Sequence, residues 1–331
     1  MVVRTRLVVA TLVLVTCSVE RPFAWGDKGH QMTARIAAER LTPAARRGIV
    51  TLIRASQDDI GLPDILGSNP EPSKARVASA LARMATWPDC MGLNANGKCK
   101  QKGVTGPWHF IDVGLFEGPG HLNERCGAGS CITEKIPTLI DNVKAGHNLV
   151  VSGAPTFTPD RQLRFLIHFL GDIHQSLHAT TNADAGGNCQ KMTTLTDLDP
   201  KVKPQLHAQW DSAIIQKALT TGHKTAFAIL SEFSSEETAV VGVTDVAAMA
   251  GESFAVAKAN VYAKATPTVP TIDHFVQVSS RKCPTEAPPE ILAVTVDGPT
   301  SFDNEDTRKL LREQLFKGGV RLAALLNQIF Q

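Results

Sequence analysis

The feature that most constrains this chain is a run of histidine and aspartate inside an apolar, helix-forming segment. His168 and Asp172 are four residues apart in the stretch 159–173, and His178 follows shortly after it. On a helix, a spacing of four residues places both side chains on one face. Buried polar groups need partners, and a shared metal ion supplies one to all of them. The segment therefore predicts a metal site on a buried helix.

A second pair with the same spacing supports this interpretation. His207 and Asp211 lie four residues apart in the segment Leu206-His207-Ala208-Gln209-Trp210-Asp211. Histidine nitrogen and carboxylate oxygen together form a ligand set that zinc accepts well. A single pair of this kind more often makes a surface hydrogen bond, and an isolated His30 is more often a core histidine. Two pairs with His178 favour the metal site.

Helical patterns dominate the rest of the chain. Predicted helices cover 28–41, a segment opened by Thr42-Pro43, 70–84, 133–151, 159–173, 205–219, 244–262 and 306–330. A short strand is expected within 104–113. Because strands nowhere alternate with helices, no parallel sheet is expected. The sequence has no internal repeat or convincing linker, so we predict an all-α fold with a single domain over residues 25–331.

The first 24 residues resemble a secretory signal peptide. Arg4 and Arg6 precede the apolar run 7–15, which is too short to span a bilayer stably. Cleavage after Ala24 would leave Trp25 as the first mature residue. A lipoprotein site at Cys17 is the alternative. No later run is apolar enough for a transmembrane helix, so we expect a secreted or periplasmic protein.

The cysteine count agrees with export to an oxidising compartment. The chain has 7 cysteines, and an even number remains once Cys17 is removed. Cys126 and Cys131 enclose a short loop and would form a local bridge. Cys90 with Cys99, and Cys189 with Cys283, would complete the set. This is one of about 15 possible connectivities for six cysteines.

Charge limits how the protein can bind a polyanion. The formal net charge is +2, and residues 1–24 contain three arginines and one glutamate, so the remaining chain is near neutral. A broad cationic face that holds nucleic acid is therefore not expected. If the substrate is a polyanion, metal ions must supply much of the local positive charge.

The order of several motifs resembles one known family, the zinc-dependent S1/P1 nucleases of the phospholipase C/P1 nuclease superfamily. The motifs that carry the resemblance are Trp25-Gly26-x-x-Gly29-His30, Trp87-Pro88-Asp89, Trp108-His109-Phe110-Ile111-Asp112, 168–178, Gly186-Gly187-Asn188, Leu206-His207-x-x-Trp210-Asp211 and 317–323. The resemblance implies a single, mainly helical domain with long loops and disulfides. It also implies a secreted endonuclease that acts on RNA and single-stranded DNA.

The resemblance implies three zinc ions and assigns ligands to each. The first would be held by Asp89, His109, His168 and Asp172, and the second by His178, His207 and Asp211. The third would be held by Trp25, through its own amine and carbonyl oxygen, with His30 and the bridging Asp172. Because only a free, deprotonated amine can donate a lone pair, signal cleavage would complete this third site.

The resemblance also implies a mechanism and a substrate site. Hydroxide produced from metal-activated water would attack phosphorus in line, and Asp89 and Asp172 are expected to be catalytic. The products would carry 5′-phosphates, and 3′-nucleotidase activity is expected. Phe110 and Asp112 would stack on and hydrogen-bond to an unpaired base, with Asn188 also at the substrate site. Ordinary core packing is the alternative role for Phe110.

The chain departs from the family pattern at two places, Gly92, which bears on the rate, and the loop between Cys90 and Cys99, which bears on substrate preference. Gly92 stands where fungal members have an arginine that stabilises the transition state, and Arg83, Lys98 and Lys100 are candidate replacements. His174 is expected in a supporting or surface position. The alternatives to a nuclease are a zinc-dependent phospholipase C, which has glutamate where this chain has Asp211, and a non-catalytic extracellular zinc-binding protein. No protein partner is implied, and a monomer is expected.

Overall fold

The computed structural model describes residues 25–56, 59–91, 103–126, 130–195, 202–265, 268–278 and 282–331. The expected signal peptide, residues 1–24, lies outside these ranges. Gly92, Lys98, Cys99 and Lys100 also lie outside them, so the Cys90–Cys99 pairing stays a prediction.

The described residues form an almost entirely helical protein, as predicted. The α-helices are α1 (Asp27–Glu39), α2 (Pro43–Ala55), α3 (Leu62–Leu66), α4 (Lys74–Ala85), α5 (Trp87–Cys90), α6 (Leu122–Arg125), α7 (Ile132–Ala145), α8 (Pro159–Asp172), α9 (Leu206–Ala208), α10 (Ile215–Thr220), α11 (Ala226–Glu232), α12 (Glu237–Val241), α13 (Val246–Val256), α14 (Cys283–Glu286), α15 (Pro289–Ala293), α16 (Gly298–Phe302) and α17 (Glu305–Ile329).

Other elements are short. Three 3-10 turns span Gly103–His109, Pro119–His121 and Ser176–His178, and two π-helical segments span Gln209–Ile214 and Ala257–Tyr262. β1 (Lys191–Met192) pairs in parallel with β2 (Thr295–Val296).

Local sequence explains where the main helices begin. α2 starts after Thr42, whose hydroxyl accepts a hydrogen bond from the Ala45 amide, and Pro43 takes the first helical position. α17 starts after Asn304, whose side-chain oxygen accepts from the Thr307 amide at 2.9 Å. α7 ends at Gly146, whose φ of 68° is left-handed, so this helix is shorter than the predicted 133–151.

Two large apolar clusters form most of the interior, and a small third one surrounds the Cys189–Cys283 disulfide. One large cluster joins α2, α4, α7 and α8, and the other surrounds Trp210 and Phe316. α1 belongs to both, because Ala34 and Ala37 pack in the first cluster and Ile36 in the second. α17 likewise contributes Leu322 to one and Leu315 to the other. These two helices join the clusters into one body.

The predicted strand within 104–113 is wrong. Gly103–His109 is a 3-10 helix with Pro107 inside it, and proline fixes φ and removes a backbone donor. The chain then extends, but it makes only an isolated parallel bridge between Gly114 and Thr181. The segment thus carries its side chains beside residues 178–181 without forming a sheet.

Two predicted disulfides are confirmed. Cys126 bonds to Cys131, and Cys189 bonds to Cys283 across 94 residues of sequence. Among the described residues, no helix has the length and apolar character needed to cross a membrane.

Candidate metal centre

The nine residues proposed as metal ligands come from five separate parts of the fold. They lie at the start of α1, in α5, at the end of the first 3-10 turn, at the end of α8 and just beyond it, and around α9. Each is less than a tenth exposed: Trp25, His30, Asp89, His109, His168, Asp172, His178, His207 and Asp211. A buried set this polar requires partners for its lone pairs.

The first group of donor atoms lies between α5, α8 and the first 3-10 turn. His109 Nδ1 is 3.1 Å from His168 Nε2, and Asp172 Oδ2 lies 2.9 Å from the former and 3.1 Å from the latter. Asp89 Oδ1 is 3.9 Å from His109 Nδ1 and 3.6 Å from His168 Nε2. Four ligands held tetrahedrally at about 2.1 Å from zinc lie roughly 3.4 Å apart, so this spacing fits a zinc site.

The second group lies between α9 and the turn after α8. Ligand atoms of His178, His207 and Asp211 all lie within 4.8 Å of one another. His207 Nε2 is 3.1 Å from Asp211 Oδ2, and the rings of His178 and His207 stack with centroids 5.2 Å apart. The two π-helical residues between the pair, Gln209 and Trp210, do not prevent this approach.

The third group joins α1 to α8. His30 Nε2 lies 3.3 Å from Asp172 Oδ1, and the His30 ring stacks on His168 at 3.7 Å. The two helices come this close because Gly171 has no side chain, and a Cβ there would lie 2.7 Å from His30 Nδ1. Trp25 is fully buried nearby, and the next amide, that of Gly26, donates to the Asp211 carbonyl at 2.8 Å.

Asp172 connects the groups. Its Oδ1 faces His30 and its Oδ2 faces His109 and His168. Burial disfavours its charge, but the three surrounding imidazoles, His168 most strongly, hold its pKa well below the usual range. The carboxylate is therefore ionised and has an oxygen available to each of two neighbouring groups.

Hydrogen bonds to backbone carbonyls fix the orientation of three histidine rings. The Nδ1–H groups of His168, His178 and His207 donate to Ala85 O at 2.6 Å, His109 O at 2.8 Å and Gly186 O at 2.6 Å. In a neutral imidazole, a protonated Nδ1 leaves the lone pair on Nε2. This is the usual second contact of a metal-binding histidine, so the donor chemistry fits a metal.

Burial also controls which groups carry charge. It lowers the pKa of His178 to about 3, so this ring is neutral and keeps a lone pair for a cation. Burial opposes charge on His168 as well, yet Asp172 and Asp89 hold its pKa above the ordinary value. Burial raises the pKa of Asp211.

Sequence reasoning missed two residues beside these groups. Gln175 donates from Nε2 to Asp211 Oδ1 at 2.7 Å and accepts the Leu177 amide, so it orients a proposed ligand. The pKa of Asp27 is raised, first by burial and then by the nearby charge of the Asp89 carboxylate. Neither Gln175 nor Asp27 lies four residues from another acid or histidine, the spacing that indicated the ligand pairs. Only their positions within the proposed ligand motifs could have indicated a role.

His174 is not at the surface, so that part of its prediction is wrong. It is 1% exposed, its Nδ1–H donates to Leu170 O at 2.8 Å, and its Nε2 accepts from Arg321 at 2.8 Å. Its ring is thus used in anchoring the end of α8.

The proposed substrate residues follow the ligands along the chain. Phe110 is half-buried directly after His109, and Asp112 is partly exposed two residues later. Burial raises the pKa of Asp112 to about 6. Asn188 donates to Ala185 O at 2.8 Å, and its Oδ1 is buried without a hydrogen-bonding partner among the described residues.

Of the candidate replacements for the family arginine, only Arg83 is within the described residues. Its Nε donates to Ile60 O at 3.3 Å. Its positive charge also lowers the pKa of Asp27, although less than the other neighbouring groups change it. Arg83 is therefore on the side of the molecule that carries Asp27.

Comparison with known proteins identifies relatives of one kind. The family model described as S1/P1 Nuclease matches residues 25–282. Endonuclease 4 from Arabidopsis thaliana is 23% identical over 97% of this chain and 94% of its own length. Nuclease P1 from Penicillium citrinum is 28% identical over 92% of this chain and 97% of its own length. Nuclease S1 from Aspergillus oryzae is 27% identical over 59% of this chain and 56% of its own.

Proposed function

Because the chain belongs to the S1/P1 nuclease family, we propose that it is a zinc-dependent endonuclease that hydrolyses RNA and single-stranded DNA to 5′-phosphorylated products. We further propose 3′-nucleotidase activity, secretion or export to the periplasm, and a mature domain that begins at Trp25 after removal of residues 1–24. The observation that carries the proposal is the meeting of three donor groups around Asp172, His168 and Asp211 in the protein interior.

The proposed zinc sites use the residues described above. Asp89, His109, His168 and Asp172 would hold one ion, and His178, His207 and Asp211 a second. Trp25 and His30 would hold the third with the other oxygen of Asp172. Zinc bound there supplies Lewis-acid chemistry, which acidifies water and neutralises negative charge on a phosphate.

The protein's own groups prepare this chemistry. Asp172 is held ionised by His168, His109 and His30, so it would be available to two ions without losing a proton. The carbonyl of Ala85 fixes His168, and the carbonyl of Gly186 fixes His207. Gln175 fixes Asp211 through the oxygen that faces away from His207. A preorganised site of this kind stabilises charge without reorganising during the reaction.

Base recognition is proposed for the segment that leaves the centre. Phe110 would stack on one base, and the Asp112 carboxylate would accept hydrogen bonds from its N–H groups. A base inside a duplex is stacked and paired, so these contacts are open only to unpaired bases. Preference for single strands follows from this.

The proposal is tested by hydrolysis assays on the chain that begins at Trp25. Single-stranded DNA, RNA, duplex DNA and phosphatidylcholine are each incubated with zinc or with a chelator. We expect hydrolysis of single-stranded DNA and RNA, little of the duplex, and loss of activity on chelation. Hydrolysis of phosphatidylcholine alone would instead support a phospholipase C, and zinc binding without any hydrolysis would support a non-catalytic protein.

A further inference from the structure

An exposed aromatic side chain lies a few residues beyond the proposed base site. Phe116 is 40% exposed and is one of four large apolar side chains, among those the structure describes, that are open to solvent. It sits in a turn that Glu117 closes, because the Glu117 amide donates to Gly114 O at 2.9 Å. The Gly114 amide in turn donates to the Glu117 carboxylate at 2.9 Å. The turn therefore presents Phe116 in a fixed position.

A second segment, residues 268–278, lies against this turn, and we call it the strap. Asn182 is 2% exposed and holds the strap twice, by donating to Pro270 O at 2.7 Å and accepting from the Ile272 amide at 3.0 Å. At its far end, Gln277 Nε2 lies 3.4 Å from Asp112 Oδ2. The strap is thus attached both to the protein interior and to the proposed base-binding carboxylate.

The turn and the strap enclose a shallow depression. Phe116, His274 and Phe275 line it, with Thr181 and Asn182 at its base. The guanidinium of Arg125 lies 3.6 Å from the centre of the Phe275 ring. Arg125 also pairs with Glu117, so it links the turn to the strap. The depression is too shallow to enclose a ligand, so a partner can lie only across its mouth.

We propose that Phe116 and Phe275 form a second base-stacking subsite for single-stranded nucleic acid, continuous with the site proposed around Phe110 and Asp112. This inference rests on the proposed function. Four residues of extended chain span at most about 14 Å, so Phe116 lies within that distance of Asp112. At about 3.4 Å per stacked nucleotide, a strand of roughly four nucleotides is therefore long enough to reach from one site to the other.

The aromatic rings of the subsite determine which nucleic acids it can bind. Every base has a π-face, so stacking on an aromatic ring binds unpaired strands with little regard to sequence. Because the chain is near neutral outside residues 1–24, stacking platforms can supply affinity that a low net charge does not. The proposal places Phe116 beyond the reach of a dinucleotide held at the first base site, so that only longer strands contact both sites.

The test compares a deoxythymidine decamer with a deoxythymidine dinucleotide as substrates of the zinc-loaded protein. Phe116→Ala should raise KM for the decamer at least about fivefold, the lower end of the effect of removing a stacked base. Neither kcat nor the KM of the dinucleotide should change. Phe275→Ala should act in the same direction, and Phe116→Trp should restore the decamer KM because it keeps an aromatic face.

Phe227→Ala is the matched control. Phe227 is 72% exposed on α11, so its loss removes the same side chain from a surface outside the depression. Equal decamer KM values for Phe116→Ala and Phe227→Ala would overturn the proposal. Equal KM increases on the decamer and the dinucleotide would also overturn it, because they would place Phe116 in the first base site.

A binding measurement that needs no hydrolysis tests this inference separately from the proposed function. Fluorescence anisotropy with a labelled phosphorothioate decamer measures affinity without requiring turnover. If the wild type hydrolyses no nucleic acid, the proposed function fails. The subsite is still decided by whether Phe116→Ala weakens decamer binding at least about fivefold relative to Phe227→Ala.

Discussion

At the scale of single residues, the candidate centre depends on which ring nitrogen of each histidine carries the proton. The Nδ1–H groups of three histidines donate hydrogen bonds to backbone carbonyls, namely those of His168, His178 and His207. The fold therefore fixes the direction of their Nε2 lone pairs. The carbonyl of Gly186 can accept such a hydrogen bond because Gly186 has a φ of +59°, and a Cβ there would lie 2.5 Å from Leu177 O. A side chain at Gly186 would therefore disturb His207.

Asp172→Asn tests the proposed role of Asp172 as a ligand shared by two zinc ions. An amide keeps the size of the side chain but removes the charge and one acceptor, so it cannot serve two cations equally. We expect hydrolysis of single-stranded DNA to fall by at least about a hundredfold, with zinc content reduced. The exposed Asp141→Asn is the control and should retain both. Near-normal turnover by Asp172→Asn would contradict the proposed mechanism.

Asp112 gives a prediction about pH. Its pKa is raised to about 6 by burial, so below that pH its carboxyl group is protonated and loses its charge and one of its acceptor oxygens. The contact with the N–H groups of a base is therefore complete above about pH 6 and weakens as the pH falls through it. We expect the ratio of kcat/KM between wild type and Asp112→Asn to approach one at pH 5 and to rise towards pH 7. A ratio that does not change with pH would exclude a base-binding role for this carboxylate.

Spacing in the sequence indicated the ligand pairs but not the residues that hold them. His168 with Asp172 and His207 with Asp211 follow from a helical repeat of four. The contact of Gln175 with Asp211 crosses 36 residues, and that of His109 O with His178 crosses 69. Tertiary contacts of this kind leave no local pattern, so sequence reasoning could not find them.

At the scale of elements, the spacing of apolar residues predicted where helices form. It did not predict the irregular segments. α8 was predicted at 159–173 and is found at Pro159–Asp172. The segment predicted as the helix 205–219 contains a π-helical stretch, Gln209–Ile214, which a repeat of 3.6 residues does not reveal. Segments of this kind often occur at functional sites. The strap is also irregular, and nothing in its sequence indicated that it contacts Asp112.

The end of α8 is anchored to α17 and α13 by one arginine. Arg321 is 3% exposed and donates to His174 Nε2 at 2.8 Å, to both Glu252 oxygens at 2.8 and 3.0 Å, and to Val240 O at 3.1 Å. His174 in turn holds Leu170 O, two residues before Asp172. The network therefore supports the helix end that carries Asp172.

Arg321→Leu should destabilise the protein by about 3 kcal/mol, because it leaves buried acceptors without a donor. Denaturant unfolding of the zinc-loaded protein measures this. Arg321→Lys should recover part of the loss, and Arg35→Leu, at an exposed position of α1, should change stability little. Unfolding of Arg321→Leu within about 0.5 kcal/mol of wild type would show that the network is dispensable.

At the scale of the whole molecule, the candidate centre ties distant parts of the chain together. Its residues begin at Trp25 and end at Asp211, and they join α1, α5, α8 and α9. The all-α fold, the family and two disulfides were predicted from the sequence and confirmed. The order of short motifs made this possible, whereas the packing of two clusters through α1 and α17 could not be read from any single segment.

Chelation should therefore lower the melting temperature as well as activity. A ligand that binds only the folded state stabilises it by about 4 kcal/mol at a thousand times its dissociation constant. We expect EDTA to lower Tm by several degrees and added zinc to restore it, measured by scanning calorimetry. An unchanged Tm after verified metal removal would contradict a cluster that holds the fold together.

The N-terminus supplies a further test of the third site. An α-amino group has a pKa near ~8, and only its deprotonated form can donate to a metal. One additional residue before Trp25 should therefore reduce bound zinc and activity, and the native chain should lose zinc more readily in acid. Full zinc content and activity in the extended chain would show that the terminal amine is not a ligand.

The most direct test of the central claim is the amount and position of zinc in the chain that begins at Trp25. Anomalous diffraction at the zinc absorption edge, together with elemental analysis, gives both. The account predicts three peaks, one among Asp89, His109 and His168, one among His178, His207 and Asp211, and one beside Trp25 and His30, with Asp172 between the first and third. Peaks elsewhere, or zinc-free protein with full nuclease activity, would contradict it.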